Sequence, residues 1–599
     1  MTLSTQQLTA LRAAVARATG VNLTMPVRYA EGSGLQVDWP SGGEAVISCG
    51  EAVAFARGCF LLTRALQEGT SALRVREEKH FAHCGAMLDM SRNGVMTVEA
   101  VKRWIDLQAS LGLNLLMLYT EDTYEIPERP YFGYLRGRYT QQELKELDAY
   151  ALSLGVELVP CIQTLGHLKQ FLQWPSSAAL RDQEDVLLID GEETYAFLED
   201  AIRSAAACFT SRRIHIGMDE AHGVGLGAYL RRHGFTDRFA LLCRHLDRVT
   251  EICSRCGFRP MMWSDMFFRL GSKTNTYYDP DLRVPEEIIE SLPAVEQVYW
   301  DYYHTDEATY ERLLAEHARM GRGTVFAGGV WAWSGFLPNG GFTLKTMEPA
   351  LRVNARRGTD TVIATLWGDD GAETDYLMSA GRLPLFSEAC WEGEAFSVEE
   401  SEKAAACVTR RPWAVHAAYE HFYDDGLTSY GGKKLLWCDP LYPTDVTDAQ
   451  RSALIEGAKA ALTCLSGLPP AVDTDYARQV FETLLKKARL TGTLRKAYLS
   501  KDQLCLSRIA ESELPDVAAC YRLLMERHRA LWEQNRKRFG WEVLLHRYGG
   551  AIARIEEAQR QLQLYLSGEL SAIEELEAAP LPDGKGFWFD RVYTPSAKT

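Results

Sequence analysis

Two acidic side chains stand next to each other in the segment RRIHIGMDEAHGVG, residues 212–225: Asp219 and Glu220. The segment begins as an apolar strand around His215 and ends in a glycine-rich turn. Paired carboxylates can serve as general acid and base, or as acid and nucleophile, at a glycosidic bond. Because successive residues of a strand point to opposite faces, we expect that these two do not flank a substrate as an ordinary catalytic pair does.

Adjacent carboxylates suit a mechanism in which each carboxyl group has a different role. One carboxyl acts as the general acid, while the other assists a nucleophile that belongs to the substrate. A 2-acetamido group supplies such a nucleophile, since its carbonyl oxygen can attack C1 and form an oxazolinium ion while the second carboxylate holds the amide N–H. We also expect the neighbouring negative charge to raise the pKa of the acid towards the working range.

The elements that must position this pair alternate along the centre of the chain. Stretches with helical periodicity, such as 97–112 and 140–155, separate short apolar runs, and several of them end on glycine. The runs are apolar throughout, which suits a parallel sheet buried on both faces. Eight runs are predicted as strands: 85–91, 113–122, 157–164, 213–220, 260–266, 295–302, 324–333 and 361–370. Eight such units predict a TIM barrel, and the lack of a G-x-G-x-x-G after the first run argues against a doubly wound open sheet.

The chain of 599 residues is too long for one compact core. The predicted class is α/β, with a (β/α)8 TIM barrel at 79–395, a small α/β domain before it at 1–78 and a mostly α-helical domain after it at 396–599. We interpret the helical domain as a buttress for the barrel or as the face of a homodimer, because function in this fold concentrates at the loop face of the barrel.

Aromatic rings and carboxylates gather at the predicted strand ends, where a TIM barrel carries its chemistry. Aromatic faces stack on pyranose rings and carboxylates bond sugar hydroxyls, so this composition predicts a sugar site. For any single tryptophan, packing in the core is an equally good interpretation. Five tryptophans lie at four consecutive ends: Trp263, Trp300, Trp331, Trp333 and Trp367.

Composition excludes several other classes of function. The net charge of −15 argues against binding to nucleic acid and to anionic membranes. We find no signal peptide, and the apolar runs fall short of membrane-spanning length. The 14 cysteines are scattered and fit a reducing compartment, so we predict a cytoplasmic protein. The pair Cys253 and Cys256 has no second ligand pair, and we expect neither a metal nor a cofactor.

The motif HIGMDE, at 215–220, resembles the H-x-G-x-D-E signature of glycoside hydrolase family 20, the β-N-acetylhexosaminidases. Other segments are similar to that family in the same order, and the resemblance covers about 79–395. These segments are GAMLDMSR at 85–92, YTED at 119–122, PCIQTLGH at 160–167 and LWGDD at 366–370.

The resemblance implies an exo-acting, retaining β-N-acetylhexosaminidase that removes terminal GlcNAc or GalNAc from glycans by substrate assistance, without a cofactor. It implies Glu220 as general acid/base and Asp219 as the group that orients the acetamido group. His167 and Asp122 would form a supporting hydrogen-bond relay towards Glu220.

The resemblance also implies a substrate pocket. Trp263, Trp300 and Trp367 would wall the acetamido group, and Asp369 would bind O4 or O6 of the sugar. The other strand-end side chains in the predicted binding set are Trp331, Trp333, Tyr302, Tyr303 and Arg92.

The sequence departs from the family pattern at three places. The family has an arginine before its first strand that grips O3 and O4, whereas His83 or Cys84 occupies that place here. The family's tyrosine on the seventh strand is missing, and Tyr302 or Tyr303 is a replacement for it. The glutamate of the eighth strand is Asp369. These changes suggest a divergent branch with different O3/O4 recognition that accepts both GlcNAc and GalNAc.

Two alternatives remain open from the sequence. One is a conventional retaining glycosidase in which a carboxylate is the nucleophile, with Asp265, Asp301 or Asp369 as the candidate. The other is a catalytically inactive barrel that binds glycans, against which the intact pair of Asp219 and Glu220 argues.

Overall fold

A closed barrel of eight parallel strands forms the centre of the molecule, in the order β10-β11-β12-β5-β6-β7-β8-β9. The structure, a computed structural model, describes residues 2–274, 276–279, 281–423, 430–443 and 446–579. All eight predicted strands are confirmed. Their bounds are β5 (His83–Asp89), β6 (Leu115–Tyr119), β7 (Glu157–Cys161), β8 (Arg213–His215), β9 (Arg259–Trp263), β10 (Glu296–Trp300), β11 (Thr324–Gly329) and β12 (Thr361–Leu366).

The strands are buried on both faces, as their apolar sequences predict. Every residue of β6 and of β12 is buried. The barrel closes where β12 pairs with β5, in a register that sets Val362 opposite Cys84. The shortest strand is β8, with three residues, and it carries the segment that leads into the acidic pair. Because the strand is this short, the acidic pair lies beyond its end.

Helices surround the barrel and connect its strands. Their starts follow the local sequence: Thr97 and Thr140 each accept a hydrogen bond from a backbone N–H of the first turn. The bounds are α3 (Val98–Ser110), α4 (Gln141–Ser153), α5 (Lys169–Leu172), α6 (Glu192–Ala206), α7 (Ala228–His233), α8 (Arg238–Arg255), α9 (Asp265–Gly271), α10 (Glu286–Ser291), α11 (Glu307–Met320), α12 (Gly340–Arg357), α13 (Tyr376–Ser379) and α14 (Leu383–Glu392).

A small α/β unit precedes the barrel. Its sheet has the order β1-β3-β2-β4, and helix α2 packs its buried face on it. The elements are α1 (Thr5–Thr19), β1 (Val27–Glu31), β2 (Leu35–Trp39), β3 (Ala45–Cys49), α2 (Ala52–Gln67) and β4 (Leu73–Glu77). The buried Arg57 of α2 donates to Glu77 on β4 and to Ser387 and Glu388 on α14, so one guanidinium joins this sheet to the last barrel helix.

Helices form the described part of the chain after the barrel, apart from an isolated bridge that pairs Arg536 with Met96. Their core is separate from that of the barrel, but it includes Phe336, Leu337 and Ala372 from the loops after β11 and β12. Tyr476 donates to the carbonyl of Phe336 at 3.1 Å. The helices are α15 (Val398–Thr409), α16 (Trp413–Glu420), α17 (Gly431–Trp437), α18 (Asp448–Ser466), α19 (Val472–Leu499), α20 (Gln503–Arg508), α21 (Leu514–Asn535), α22 (Trp541–Ser567) and α23 (Glu574–Glu577).

The three-part architecture that the sequence predicts is therefore present. The exact boundaries at 78/79 and 395/396 stay predictions, and the predicted helical domain 396–599 extends beyond the described residues after 579. None of the helices in the described ranges combines the length and the apolar character that a membrane-spanning helix needs.

Candidate active site

The two adjacent carboxylates converge on one imidazole. Nε2 of His167 lies 3.2 Å from Asp219 Oδ2 and 3.4 Å from Glu220 Oε2. Strand alternation predicted that the two side chains would point to opposite faces, and this is wrong. Strand β8 ends at His215, so the pair lies beyond the strand and the alternation rule does not apply to it.

The backbone turn that brings the pair together is unusual. Gly217, Met218 and Glu220 all have positive φ, at 70°, 73° and 47°. A side chain at position 217 would also place its Cβ 2.0 Å from Gln163 Oε1, so only glycine fits there. Non-glycine residues in this region carry strain that the surrounding contacts must hold, and such strain is concentrated at functional sites. His167 and Glu121 share this conformation, with φ of 56° and 42°.

Gln163, after β7, fixes Asp219. Its Nε2 donates to Asp219 Oδ1 at 2.7 Å and to the hydroxyl of Tyr119 at 2.8 Å, while its Oε1 accepts the N–H of Met218 at 3.2 Å. The amide therefore holds both the carboxylate and the turn that carries it. Gln163 is absent from the predicted site, although it lies four residues before His167 in the segment that resembles the family.

Charge is distributed unevenly over this cluster. Burial raises the pKa of Asp219, but His167 and Gln163 outweigh burial and lower it to about 2. Burial lowers the pKa of His167, but Asp219 and Glu220 outweigh burial and raise it well above its ordinary value. These shifts favour the charged forms of the cluster, with an imidazolium facing two carboxylates.

The pKa of Glu220 moves in the direction opposite to our prediction. Burial and the charge of Asp219 both raise this pKa, but the contact with His167 outweighs them and lowers it. The prediction considered only the neighbour in sequence and not the imidazolium supplied by the loop after β7. Glu220 is the more accessible of the pair, since 39% of its side chain is exposed against 10% for Asp219.

The predicted relay through Asp122 is not what the structure shows. Asp122 is fully buried and pairs with Arg136, with 3.3 Å between Oδ1 and Nε. Its neighbour Glu121 faces the imidazole instead, with Oε1 3.8 Å from His167 Nδ1, and accepts the hydroxyl of Tyr119 at 3.1 Å. The chain turns at Glu121 with a positive φ, which places the first of the two acids inside the site.

Arg92 is the cation at the rim of the site. Its guanidinium lies 3.6 Å from Glu121 and 3.6 Å from Asp369, above the rings of Tyr119 and Trp367. The residues considered for the missing arginine lie elsewhere: His83 begins β5 at the opposite end of the barrel, beside Arg213, and Cys84 is buried against Phe386. Desolvation, with smaller contributions from Asp89, Asp370 and Glu220, raises the pKa of Asp369 to about 6 against the effect of Arg92.

The predicted aromatic side chains form one continuous wall. Trp367 lies between Trp263, at 6.0 Å between ring centroids, and Tyr302, whose hydroxyl accepts Trp367 Nε1 at 3.0 Å. Trp300 stacks on Tyr302 at 5.3 Å, and Tyr303 stands beside both with 49% of its surface exposed.

Trp331 and Trp333 lie behind this wall. They stack on each other at 4.2 Å, and Trp331 donates its Nε1 to the carbonyl of Tyr302. Trp331 is 1% and Trp333 is 6% exposed, as little as Trp263 and Tyr302 of the wall, so burial does not separate the two groups. Their place in the predicted binding set therefore stays a prediction, and core packing remains the second interpretation of this pair.

Polar groups beneath the wall lack partners. Trp263 Nε1 and His215 Nε2 are buried and have no hydrogen-bond partner among the described residues, and the two rings lie 4.3 Å apart. Buried polar atoms are nearly always paired, so each of these two atoms is a candidate partner for a ligand or a water molecule. Within the described ranges, no group of three or more His, Cys, Asp or Glu side chains is arranged to hold a metal ion.

A closed (β/α)8 barrel whose carboxyl end holds paired carboxylates, an imidazolium and an aromatic wall has the architecture of a glycoside hydrolase. Two family models agree with this class. The model described as "Glycosyl hydrolase family 20, catalytic domain" matches 81–279, and "Glycoside Hydrolase 20C C-terminal domain" matches 432–586. The chain belongs to glycoside hydrolase family 20.

Curated relatives and solved structures are consistent with this family. Hexosaminidase D of Bos taurus is 27% identical over 241 residues, which is 38% of this chain and 63% of the relative. A beta-hexosaminidase of Vibrio furnissii is 26% identical over 32% of this chain and 38% of its own length. The matches thus span less than two thirds of these relatives.

The structural neighbours show the fold. The GH20 exo β-N-acetylglucosaminidase of Vibrio harveyi, solved in complex with N-acetylglucosamine, superimposes with a TM-score of 0.51 and 18% identity, over 70% of this chain and 73% of the neighbour. The GH20 β-N-acetylhexosaminidase of Streptomyces coelicolor A3(2) has a TM-score of 0.50 and 20% identity, over 67% and 88%.

Proposed function

We propose that this protein is an exo-acting, retaining β-N-acetylhexosaminidase that works by substrate assistance on glycans with a terminal GlcNAc or GalNAc. The observation that carries the proposal is the contact of Asp219 and Glu220 with the same atom of His167. Apart from this shared contact the two carboxylates differ, as two different tasks require: Gln163 holds Asp219, whereas Glu220 is the more exposed of the two.

Asp219 suits the task of holding the acetamido group. Its low pKa keeps it ionised, and Gln163 and His167 fix its orientation. An ionised carboxylate accepts the amide N–H of the substrate, which directs the carbonyl oxygen of the acetamido group at C1. The C1–O bond to the leaving group then breaks as the oxazolinium ring forms.

Glu220 suits the task of proton transfer, because it is the more exposed carboxylate and touches the protonated His167. Glu220 takes the Nε2 proton of the imidazolium, 3.4 Å away, and passes it to the departing glycosidic oxygen, which leaves the imidazole neutral. In the second step Glu220 takes a proton from a water molecule that attacks C1 and opens the ring, with overall retention.

The contacts of the other acids argue against a carboxylate nucleophile. Asp301 accepts hydrogen bonds from Tyr299 and His304 and from two backbone N–H groups. Asp265 accepts the N–H of Glu220, and burial together with Asp219 raises its pKa well above its ordinary value, which disfavours the ionised form that a nucleophile needs. Asp369 is engaged with Arg92 at the rim.

The experiment is hydrolysis of aryl β-N-acetylglucosaminide, aryl β-N-acetylgalactosaminide and aryl β-glucoside. We expect turnover of the first two, inhibition by GlcNAc-thiazoline, and loss of about 10²–10⁴-fold in kcat for Glu220→Gln with a leaving group that needs protonation. Cleavage of the glucoside alone, or a covalent sugar trapped on Asp265 or Asp369, contradicts the proposal. Cell fractionation and light scattering test the predicted cytoplasmic location and homodimer.

A further inference from the structure

Three aromatic side chains outside the catalytic cluster form an exposed group on the loop face of the barrel. The rings of Tyr131 and Tyr134 lie 5.7 Å apart, and that of Tyr134 lies 5.5 Å from Trp174. Tyr131 is 49% and Tyr134 is 44% exposed, while Trp174 is half-buried. We call these three residues the aromatic platform.

A buried ring cluster joins the two loops that carry the platform. Phe132 lies against Tyr124 and Phe171, and Phe171 lies against Phe197, with ring centroids 5.0–5.1 Å apart. Leu135, next to Tyr134, has 55% of its surface exposed and a φ of 60°, a conformation that a leucine rarely adopts. A strained and exposed apolar residue beside exposed rings indicates that this surface has a purpose other than packing.

The platform adjoins the catalytic centre through both of the loops that carry it. Gly133 approaches Asp122 so closely that a Cβ would lie 2.2 Å from the carbonyl oxygen of Asp122. Arg136 donates to Asn93 and to the carbonyl of Ser91, which flank Arg92 at the rim. Trp174 follows His167 by seven residues on the loop after β7.

We propose that the aromatic platform binds the sugar on the leaving-group side of the scissile bond, so that the natural substrate is an oligosaccharide and not a single sugar on an unrelated carrier. This inference rests on the proposed function. A terminal sugar held at Asp219 and Glu220 projects its leaving group out of the barrel mouth, where exposed rings on adjoining loops can stack on the C–H face of the next pyranose.

The test compares two substrates that differ only beyond the scissile bond. Methyl β-N-acetylglucosaminide has a leaving group too small to reach the platform, whereas the β-1,4-linked trisaccharide of N-acetylglucosamine extends over it. We expect Trp174→Ala and Tyr134→Ala each to raise KM for the trisaccharide about tenfold, equivalent to about 1.4 kcal/mol. The same variants should change KM for the methyl glycoside by less than about twofold.

Control variants keep this result specific. Trp174→Phe and Tyr134→Phe retain a ring and should restore most of the trisaccharide affinity. Phe235→Ala removes the side chain of a phenylalanine that is 75% exposed on the loop after α7. This variant should change KM for neither substrate. Thermal melting of each variant checks that it is folded.

Three results overturn the inference. The first is an unchanged trisaccharide KM in both alanine variants of an active enzyme, and the second is an equal rise in KM for both substrates. The third is a platform variant that alters the mass of the protein by light scattering, since this would assign the rings to contact with a second copy. If the wild type cleaves neither substrate, the proposed function itself fails, and the platform inference, which rests on it, fails with it.

Discussion

The ammonium of Lys433 lies 3.0 Å from Glu373 Oε2, and both side chains are buried. Lys433 belongs to α17 in the helical domain, whereas Glu373 belongs to the loop after β12 in the barrel. The other oxygen of Glu373 accepts Trp437 Nε1 at 2.6 Å and Arg547 Nη1 at 3.0 Å. Three donors from the C-terminal helices thus hold the loop that begins at Trp367 and carries Asp369.

We predict that Lys433→Met lowers stability and weakens substrate binding. Removal of one partner leaves buried carboxylates less compensated, which costs about 3 kcal/mol, and a looser loop should raise KM more than it lowers kcat. Urea denaturation and steady-state kinetics measure the two effects. Lys459→Met, at a solvent-exposed pair with Glu456, is the control and should change stability by less than about 0.5 kcal/mol. A Lys433→Met enzyme with wild-type KM would contradict the positioning role of these helices.

Gln163→Leu should impair catalysis more than binding. The substitution removes the donor to Asp219 Oδ1 and the acceptor for Met218 N–H, so the carboxylate loses its fixed orientation. Misplacement of such a group costs up to about 10²-fold in rate, and we expect a fall of about 10–100-fold in kcat. Gln108→Leu is the matched control, because Gln108 is buried too but bonds only the carbonyl of Leu115 in the described contacts. Equal losses of kcat in the two variants would point to a general loss of folding.

Arg92→Lys should lower kcat/KM through KM. The planar guanidinium meets Glu121 and Asp369 while it lies above two aromatic rings, and an ammonium cannot reproduce that geometry. We expect about a tenfold rise in KM with aryl β-N-acetylglucosaminide, and a changed ratio between the GlcNAc and GalNAc substrates. An unaltered ratio together with an unaltered KM would remove Arg92 from the set of substrate-binding residues.

The His167 contacts predict a pH dependence of stability. The pKa of His167 is raised in the folded protein, so the stability that its protonated form supplies is complete below its ordinary pKa of about 6.5 and is lost as the pH rises through the raised value. The difference in denaturation midpoint between wild type and His167→Gln should therefore be largest at or below pH of about 6.5 and shrink in alkaline buffer. His546→Gln, at an exposed position, should show no such trend. A difference that grew with pH would reverse the assigned sign.

The sequence predicts the barrel well because each strand is a short apolar run between helices with clear starts and ends. It also identifies Asp219, Glu220, His167 and the aromatic wall, whose residue types carry the chemistry. The prediction for 213–220 was too long, however, since the strand ends at His215 and the chain then turns through three positive φ angles. A pattern of apolar residues gives no sign of such a turn, apart from Gly217.

The sequence alone does not predict the contacts between distant loops. The choice between Glu121 and Asp122 depends on the backbone direction at one residue. The direction of the pKa shift of Glu220 depends on the imidazole of His167, which another loop supplies. Arg92 belongs to the predicted binding set, but the replacement for the family arginine was predicted at His83 or Cys84, whereas the cation that lies at the rim is Arg92, after the first strand. These relationships depend on tertiary geometry, which no spacing rule for neighbouring residues describes.

The guanidinium of Arg57, shared between β4 and α14, sets a limit for protein engineering. An enzyme trimmed to its barrel would keep Glu388 and Ser387 without the cation that they bond. A foreign N-terminal unit grafted onto the barrel would have to supply an arginine at the position of Arg57. The helices at the other end impose the same condition through Lys433 and Arg547. A useful minimal version of this enzyme must therefore retain both flanking units, and swaps with related chains must transfer each buried cation together with its acids.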